Sequence, residues 1–413
     1  MGGDRGQRLA AGGVLTFVLC GGKGERLFPL TRDRSKPAVP FGGSYRIIDF
    51  ALSNCINSEL RKIYLLTQYK SHSLERHAAQ GWNLFSPELG EFVHTIPPQL
   101  RIGTDWYLGT ADAIFQNLYS IEAVSPDHVL ILSGDHVYNM DYREMLARHV
   151  SSGADATLAV VPVAAREASR FGIVQLDAER RVVGFKEKPT DVDPDGEDLL
   201  GNMGVYMFRR DSLEKALTID AARAASRRDF GHDVLPYCVE EGGRVVAHEF
   251  RSPGSEGGSY WRDIGTLDAY YRANMELVSV TPPFNLYDQD WPVRTRPVQA
   301  PPAKFVFADD ESGRVGSARD TIVSPGVIVS GGSVRNSVLG PGCRVNSWSE
   351  VRASILLGDC EIGRRAVVER AILDKEVTVA PGARLVGGDE ADAKRFTVTD
   401  EGVAVVPRGT RIE

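Results

Sequence analysis

Residues 21–31 read Gly21-Gly22-Lys23-Gly24-Glu25-Arg26-Leu27-Phe28-Pro29-Leu30-Thr31, and the pair Lys36-Pro37 follows shortly after. The apolar run 14–19 comes just before them, and its length and composition predict a buried strand. Three glycines alone are more often a plain turn, but glycines after a strand also let backbone N–H groups approach a phosphate. This segment is neither a Walker loop nor a dinucleotide fingerprint, and it adds two cations, Arg26 and Lys36. It therefore predicts an α/β strand–loop unit that binds a triphosphate whose pyrophosphate leaves.

The composition is that of a globular protein with a slight acidic excess. The chain has 413 residues, 42% of them hydrophobic and 25% charged, which favours two domains. A net charge of −7 argues against nucleic acid or an anionic membrane as a partner. No run reaches membrane-spanning length and no signal peptide precedes Val14, so we expect a cytoplasmic protein. Five scattered cysteines without a C-x-x-C pair indicate reduced thiols and make zinc improbable.

The order of patterns along the chain predicts an amino-terminal α/β domain. Residues 1–13 are rich in glycine and are expected to form a flexible leader. From 14 to 280, short apolar runs alternate with helical patterns, which predicts a Rossmann-like, mostly parallel sheet with helices on both faces. In such sheets ligands bind beyond the carboxyl ends of the strands. The loops after residues 19 and 132 are therefore the predicted site.

The composition changes in the carboxyl-terminal third. Residues 281–302 hold six prolines and predict a stiff linker. In 303–413, aliphatic residues recur every five or six positions, at Ile322, Ile328, Val334, Leu339, Val345, Val351, Leu356, Ile362, Val367 and Ile372. A β-sandwich would imitate this rhythm less well than the hexapeptide repeats of a left-handed parallel β-helix. We therefore predict a β-helix that serves regulation and oligomerisation.

Two aspartates follow predicted strands and are candidate metal ligands. Asp135 stands in Ser-Gly-Asp-His after a strand, and Asp263 stands in 260–266, YWRDIGT, before a helix. Either one alone is at least as often a turn or helix-cap residue. Two carboxylates beside a cationic glycine loop predict a metal-assisted phosphoryl-transfer site with Mg²⁺.

Three further side chains are candidates for substrate contacts. Lys188, before a proline, offers an ammonium to a sugar phosphate, although most lysines are simply solvated. Tyr107 precedes a helix whose first N–H groups suit an anion. Gln99 offers an amide to a base edge, and that signal is weak by itself.

Longer strings in the chain resemble those of a known family. They are 38–43 (AVPFGG), 46–54 (RIIDFALSN), 67–74 (TQYKSHSL), 134–136 (GDH), 187–189 (EKP) and 260–266 (YWRDIGT). Together with the glycine loop they resemble the sugar-nucleotide pyrophosphorylases and, among these, the bacterial glucose-1-phosphate adenylyltransferases. The resemblance extends from about Val14 into the β-helix, and the IIDF and QYKSH strings distinguish this branch from uridylyl- and thymidylyltransferases.

The resemblance implies an activity and a set of residue roles. The implied reaction joins ATP and glucose 1-phosphate into ADP-glucose and pyrophosphate, the committed step of bacterial glycogen synthesis, in an allosteric homotetramer controlled by small molecules. The implied catalytic residues are Asp135, Arg26 and Lys36, the implied ATP ligands are Gly21, Gly22, Gly24 and Gln99, and the implied Mg²⁺ ligands are Asp135 and Asp263. The implied glucose 1-phosphate ligands are Tyr107, Gly172, Glu187, Lys188 and Asn202, the last replacing a serine of many members.

Effector binding by resemblance falls on Arg32, Arg34, Arg46, Lys394 and Arg395. Asp33 stands where enteric members carry an activator-binding lysine, and Ala123 replaces an arginine that they use for AMP. The enteric pattern therefore does not transfer directly, and the activator is not predicted.

Two alternatives remain open at this point. A non-catalytic regulatory subunit of the same family would tend to lose the loop cations, which this chain keeps. A bifunctional enzyme with an acyltransferase β-helix would need a histidine base, and residues 303–413 contain none.

Overall fold

The computed structural model describes residues 13–101, 105–253, 258–309 and 311–413. The predicted leader lies outside the described residues except for Gly13. Within the described residues, no helix is long and apolar enough to cross a membrane.

The amino-terminal region is an α/β unit. Its strands are β1 (Val14–Cys20), β2 (Pro40–Phe41), β3 (Tyr45–Arg46), β4 (Lys62–Thr67), β5 (Phe92–Ile96), β6 (His128–Ser133), β7 (His136–Tyr138), β8 (Ala156–Val163), β9 (Gly172–Leu176), β10 (Val182–Glu187), β11 (Leu199–Arg209), β12 (Val245–Glu249) and β13 (Trp261–Asp263). Its α-helices are α1 (Ile48–Asn57), α2 (His72–Gly81), α3 (Thr110–Phe115), α4 (Leu118–Val124), α5 (Tyr142–Ser152), α6 (Arg210–Ala222), α7 (Leu235–Glu240) and α8 (Leu267–Glu276). Shorter 3₁₀ turns span Glu25–Leu27, Lys36–Ala38, Pro87–Leu89 and Ala165–Arg170, and a π turn spans Phe230–Val234.

The main sheet has nine strands in the described residues, and β1 lies inside it between β6 and β4. Its order is β10-β9-β11-β6-β1-β4-β5, and β8 pairs with β11 and β12. Strands β6, β1, β4 and β5 run parallel, as predicted, whereas β11 turns the sheet antiparallel beyond β6. Alternate side chains of β1 enter two different cores, Val18 on one face and Phe17 on the other, so the strand is apolar except for the buried Thr16.

The register of this sheet positions the site. Leu19 pairs with Ser133, so the chain leaves β1 and β6 at the same level. The glycine loop and the segment that carries Asp135 therefore meet at one edge of the sheet, beyond the carboxyl ends of the strands.

The carboxyl-terminal region is a parallel β-helix. Its strands are β14 (Lys304–Val306), β15 (Ala308–Asp309), β16 (Arg314–Val315), β17 (Ser317–Val323), β18 (Ile328–Ser330), β19 (Ser333–Leu339), β20 (Arg344–Val345), β21 (Glu350–Arg352), β22 (Ile355–Leu356), β23 (Glu361–Ile362), β24 (Val367–Glu369), β25 (Ala371–Leu373), β26 (Thr378–Val379), β27 (Arg384–Val386), β28 (Thr397–Val398), β29 (Ala404–Val406) and β30 (Arg411–Ile412), and helix α9 (Glu390–Ala393) is inserted after β27. Successive coils stack in register, Val345 on Ile362 and Ile362 on Val379. This repeating stack of short parallel strands is consistent with the predicted left-handed β-helix.

The predicted inward-facing positions of the β-helix are correct in its middle and slip by one residue elsewhere. Val334, Leu339, Val345, Val351, Leu356 and Ile362 are all in the interior cluster of the β-helix. At Ile328 and Val367 the buried neighbours Val329 and Val368 point inward instead. Ile322 and Ile372 face a different cluster, which the β-helix shares with the amino-terminal region. The slip arises because the coils are not strictly six residues per side, so a fixed period loses phase.

That shared cluster joins the two regions. Phe41, Phe50 and Tyr270 from the amino-terminal region pack with Val338 and Ile355 of the β-helix. The cluster is a core that neither region completes alone.

The proline-rich segment is bound to the surface of α1. The indole N–H of Trp291 donates to Asn54 Oδ1 at 2.9 Å, and Thr295 Oγ1 donates to Asp49 Oδ2 at 2.6 Å. Asp49 is fully buried and also accepts from Trp82 Nε1. The segment is therefore fixed by specific hydrogen bonds as well as stiffened by its prolines.

Candidate active site

The glycine loop is held in shape by its own neighbours. Gly24 has φ +65°, a conformation that favours glycine, and Thr31 Oγ1 donates to its carbonyl at 2.8 Å. Lys70 Nζ in turn donates to the carbonyl of Thr31 at 2.8 Å. The loop is thus closed by bonds that do not involve the N–H groups of Gly21 and Gly22.

The two predicted carboxylates meet at Lys36. Strand β13 pairs antiparallel with β7, with Asp263 opposite His136, and this pairing carries Asp263 to the side of Asp135. Lys36 Nζ lies 2.8 Å from Asp135 Oδ2 and 3.3 Å from Asp263 Oδ1. Burial alone would lower the pKa of Lys36, but the two carboxylates outweigh burial and raise it. Burial alone would raise the pKa of Asp135, yet Lys36 and His136 hold it well below its usual range.

The carboxylate pair fits a divalent metal ion. Both side chains offer oxygen, the donor that Mg²⁺ prefers, and two carboxylates completed by water and phosphate oxygens are a usual Mg²⁺ arrangement. In the part of the chain that the structure describes, no group of three or more His, Cys, Asp or Glu side chains is placed to hold a metal. A metal here would therefore take its remaining ligands from substrate and water.

A cavity of about 800 Å³ opens over this edge of the sheet. It is lined by the loop from Gly21 to Arg26, by Lys36 and Asp135, and by Gln68 and Tyr107. A methyl group built on Gly265 would lie 3.1 Å from Arg26 Nη2 and 3.0 Å from Asp263 Oδ1, so Arg26 reaches the carboxylate side of the cavity. This volume is within the range of small-molecule sites and suits a nucleotide.

Tyr107 and Gln99 differ in how closely they approach the cavity. Tyr107 is buried, burial raises its pKa, and its hydroxyl oxygen accepts from Asn117 Nδ2 at 3.0 Å. Its hydroxyl hydrogen remains available as a donor. Gln99 is exposed, donates to the carbonyl of Pro97 at 3.0 Å, and does not line the cavity in this structure.

Two of the predicted sugar-phosphate residues, Gly172 and Lys188, lie against Glu187. A methyl group on Gly172 would come within 2.6 Å of Glu187 Oε2, so that carboxylate occupies the space a side chain would need. Lys188 Nζ donates to Glu187 Oε1 at 2.8 Å, while 57% of the Lys188 side chain is exposed. The lysine is therefore free to exchange its carboxylate partner for a phosphate.

Both polar atoms of the Asn202 side-chain amide already form a hydrogen bond. Its Nδ2 donates to Tyr206 Oη at 2.7 Å, and its Oδ1 accepts from the N–H of Gly204 at 3.1 Å. One N–H and one lone pair remain for a sugar hydroxyl.

Sequence reasoning missed Asp229 and Gly231. A methyl group on Gly231 would come within 2.7 Å of Glu187 Oε2, and Asp229 Oδ2 accepts from Thr110 Oγ1 at the start of α3 at 2.9 Å. Asp229 thus links the sugar side to the helix after Tyr107. No motif marks the Asp-Phe-Gly string of 229–231. The buried Phe230 packs against Tyr206, with ring centroids 5.4 Å apart, and its N–H donates to Thr110 Oγ1 at 3.1 Å, and these tertiary contacts place the string here.

Three of the five candidate effector residues lie between the loop and the β-helix. Arg34 is buried and donates to both carboxylate oxygens of Asp374, at 2.9 and 3.0 Å, and Arg32 donates to the carbonyl of Arg408. Arg46 and Lys375 line a cavity of about 260 Å³ together with Arg296. Burial, then Arg46 and Arg34, lower the pKa of Lys375 to about 8.

Lys394 and Arg395 belong to a different surface. Both are exposed just after α9, where Arg395 pairs with Asp392 and lies over the ring of Phe396. Neither residue lines the cavity at Arg46.

Comparison with known proteins agrees with this architecture. A model described as nucleotidyl transferase matches residues 15–280, and one described as GlmU-like, C-terminal hexapeptide matches residues 301–406. A glucose-1-phosphate adenylyltransferase of Koribacter versatilis is 50% identical over 96% of this chain and 95% of its own length. Its namesakes in Rhodopirellula baltica and Bifidobacterium longum are 49% and 46% identical, each over 97% of this chain and over 91% and 98% of their own lengths.

The chain belongs to the glucose-1-phosphate adenylyltransferase family. The resemblance seen in the sequence is thereby confirmed, as is the succession of a nucleotidyltransferase domain and a hexapeptide β-helix. Within this family a divalent metal at the Asp135–Asp263 pair is consistent with nucleotidyl transfer.

Proposed function

We propose that this chain is a catalytic glucose-1-phosphate adenylyltransferase. It transfers the adenylyl group of ATP to α-D-glucose 1-phosphate and releases ADP-glucose and pyrophosphate, in the cytoplasm, as the committed step of glycogen synthesis. One observation carries the proposal: Lys36 joins Asp135 to Asp263 at the wall of a nucleotide-sized cavity that begins at the glycine loop. A non-catalytic subunit would have no reason to keep this arrangement intact.

The reaction is an in-line displacement at the α-phosphorus of ATP. The N–H groups of Gly21, Gly22 and Gly24 and the cation of Arg26 hold the triphosphate and neutralise the pyrophosphate as it leaves. Asp135 and Asp263 would hold Mg²⁺, which would supply positive charge to neutralise the phosphates. The rate then comes from positioning and electrostatics.

The sugar phosphate is oriented from the opposite side. Lys188 takes the phosphate, Glu187 and Asn202 take sugar hydroxyls, and Gly172 and Tyr107 are further contacts. Of these residues, Tyr107 alone lines the cavity at the glycine loop. A phosphate monoester is already anionic, so the attack requires no general base. We therefore assign His136 a structural role and not that of a general base. Its ring lies 5.0 Å from that of Trp261, and its Nε2 lies 3.5 Å from Asp135 Oδ1.

Adenine recognition is assigned to Gln99. The residue follows β5, at the same end of the sheet as the glycine loop, and its only described hydrogen bond is to Pro97. A modest rotation would exchange that local bond for the base edge.

The decisive assay measures pyrophosphate release from glucose 1-phosphate with ATP, UTP, TTP and GTP in turn. We expect ATP to be preferred. Equal or faster turnover with UTP or TTP would contradict the assignment.

We further propose that the β-helix regulates the enzyme and forms a homotetramer. The supporting contacts are Arg34 to Asp374 and Arg32 to the carbonyl of Arg408, which tie the segment between the glycine loop and Lys36 to the β-helix. The cations Arg46, Arg296 and Lys375 around the smaller cavity suit an anionic effector such as a sugar phosphate or nucleotide. Sedimentation of the full chain and an activator screen test the two parts separately.

A further inference from the structure

The position of the Lys36 ammonium has a consequence for metal binding. Its side chain is 10% exposed and begins in the 3₁₀ turn Lys36–Ala38, where Pro37 fixes the backbone. From this fixed base it reaches Asp135 Oδ2 at 2.8 Å and Asp263 Oδ1 at 3.3 Å. The ammonium therefore stands between the two carboxylates.

The same two oxygens bracket the place of a divalent cation. A metal bound to both would lie roughly 2.0–2.5 Å from each oxygen. An ammonium within hydrogen-bond distance of both oxygens occupies that volume and also opposes a second positive charge a few ångströms away. The two cations exclude each other from the gap.

We propose that Lys36 is a built-in counter-cation that holds the Asp135–Asp263 pair closed in the nucleotide-free enzyme and must leave it before a divalent cation bridges the pair. The proposal rests on the proposed function, because it takes that pair to be the metal site. Lys36 and the glycines of residues 21–24 line one cavity, so a displaced ammonium has room to turn toward the glycine loop. A triphosphate there offers Lys36 new oxygens, so metal and nucleotide bind well together and the metal binds poorly alone.

The first test measures Mn²⁺ alone, without nucleotide or sugar, by electron paramagnetic resonance titration. Lys36→Gln should bind Mn²⁺ at least about tenfold more tightly than the wild type, which is the low end of what a unit charge within ~4–6 Å does to a carboxylate. Lys23→Gln is the matched control. Lys23 lines the same cavity, but its ammonium lies over the ring of Tyr69. This variant should change Mn²⁺ affinity by less than about threefold, because the Lys23 charge is exposed and screened. Unchanged or weaker binding by Lys36→Gln, or equal tightening by Lys23→Gln, would overturn the proposal.

A second test uses the wild-type chain, so it does not depend on whether a variant folds. Acetic anhydride labels accessible amines, and mass spectrometry reads Lys36 and Lys23 in the same digest. Saturating Mn²⁺ should raise labelling of Lys36 severalfold while leaving Lys23 unchanged. Labelling of Lys36 that is unaffected by Mn²⁺ would contradict displacement.

Neither measurement involves turnover. An enzyme that fails to release pyrophosphate from ATP and glucose 1-phosphate would refute the proposed function while leaving these metal-binding results readable. Conversely, if the wild type turns over normally and Lys36→Gln leaves the Mn²⁺ affinity unchanged, the proposed role of Lys36 as a counter-cation is wrong and the proposed function stands.

Discussion

Among single residues, Asp135 has the strongest expected effect on rate. Asp135→Asn should keep the fold and lower kcat by on the order of a hundredfold or more, because an amide balances neither the metal nor Lys36. The assay is pyrophosphate release, with circular dichroism to check the fold. Asp177→Asn is the control, because Asp177 forms an ion pair with the exposed Arg181 outside the site. Near-normal activity of Asp135→Asn would mean that Asp135 is only a turn former.

Lys188 should act on the sugar phosphate and not on ATP. A hydrogen bond to a charged group contributes about 1.5–3 kcal/mol, and the exposure of Lys188 favours the low end. Lys188→Ala should therefore raise KM for glucose 1-phosphate about tenfold and leave KM for ATP little changed.

Lys186 provides the matched control for this prediction. It lies on β10, two residues before Lys188, which follows the end of that strand, but it pairs with Asp191. Lys186→Ala should leave both KM values near those of the wild type. A rise in the KM for ATP in Lys188→Ala would show that the lysine serves the other substrate.

At the scale of secondary-structure elements, the packing of α5 against the sheet makes stability depend on pH. His149 of α5 is buried, with Nδ1 bound to Thr157 Oγ1 of β8 at 2.8 Å. Burial, then His128 and Arg209, lower the pKa of His149 to about 4. Between about pH 6.5 and about pH 4 the unfolded chain binds a proton that the folded chain refuses. Stability is therefore present above pH 6.5 and is lost as the pH falls through this window.

Urea unfolding at about pH 7.5 and about pH 5 measures the effect. One pKa unit is about 1.36 kcal/mol, so His149 should cost the wild type about 2 kcal/mol between these conditions. His149→Gln cannot titrate and should lose correspondingly less. Equal losses in both proteins would place the pH dependence elsewhere, for example at His248, whose pKa is also lowered to about 4, by burial and then by Arg148.

The sequence is most informative where a functional residue directly follows a strand. The glycine loop follows β1 and Asp135 follows β6, so the topology alone brings them together. Gly231 lies against Glu187, and Asp229 joins it to Thr110, through tertiary contacts that no local pattern encodes. The bridging position of Lys36 depends on where its side chain points, and the slip at Ile328 depends on coil geometry. Neither can be obtained from residue spacing.

For the whole molecule, the buried ion pair between Arg34 and Asp374 is the most sensitive contact between the two regions. Asp374→Asn leaves Arg34 buried without its counter-charge and should destabilise the protein by about 3 kcal/mol. Added sulfate should recover part of that loss, because an anion can replace the missing carboxylate beside Arg34, Arg46 and Lys375.

Thermal melting with and without sulfate tests this prediction. Glu376→Gln is the control, since it removes the neighbouring carboxylate, which pairs with Arg408 at the surface. The free energy of unfolding of Glu376→Gln should be within a few tenths of a kcal/mol of that of the wild type. Sulfate that stabilises all three proteins equally would show that the cations near Arg34 are not a specific anion site.

The cluster shared by Phe41, Phe50, Val338 and Ile355 also affects how the chain folds while it is being synthesised. When a ribosome has completed residue 280, the nucleotidyltransferase domain is fully synthesised but its apolar face has no partner. At roughly 5–20 residues per second, the remaining chain takes on the order of ten seconds to emerge. During that interval the nascent domain exposes a hydrophobic surface to chaperones and to other nascent chains on the same mRNA. The last coils of the β-helix therefore finish a fold that began at the other end of the polypeptide.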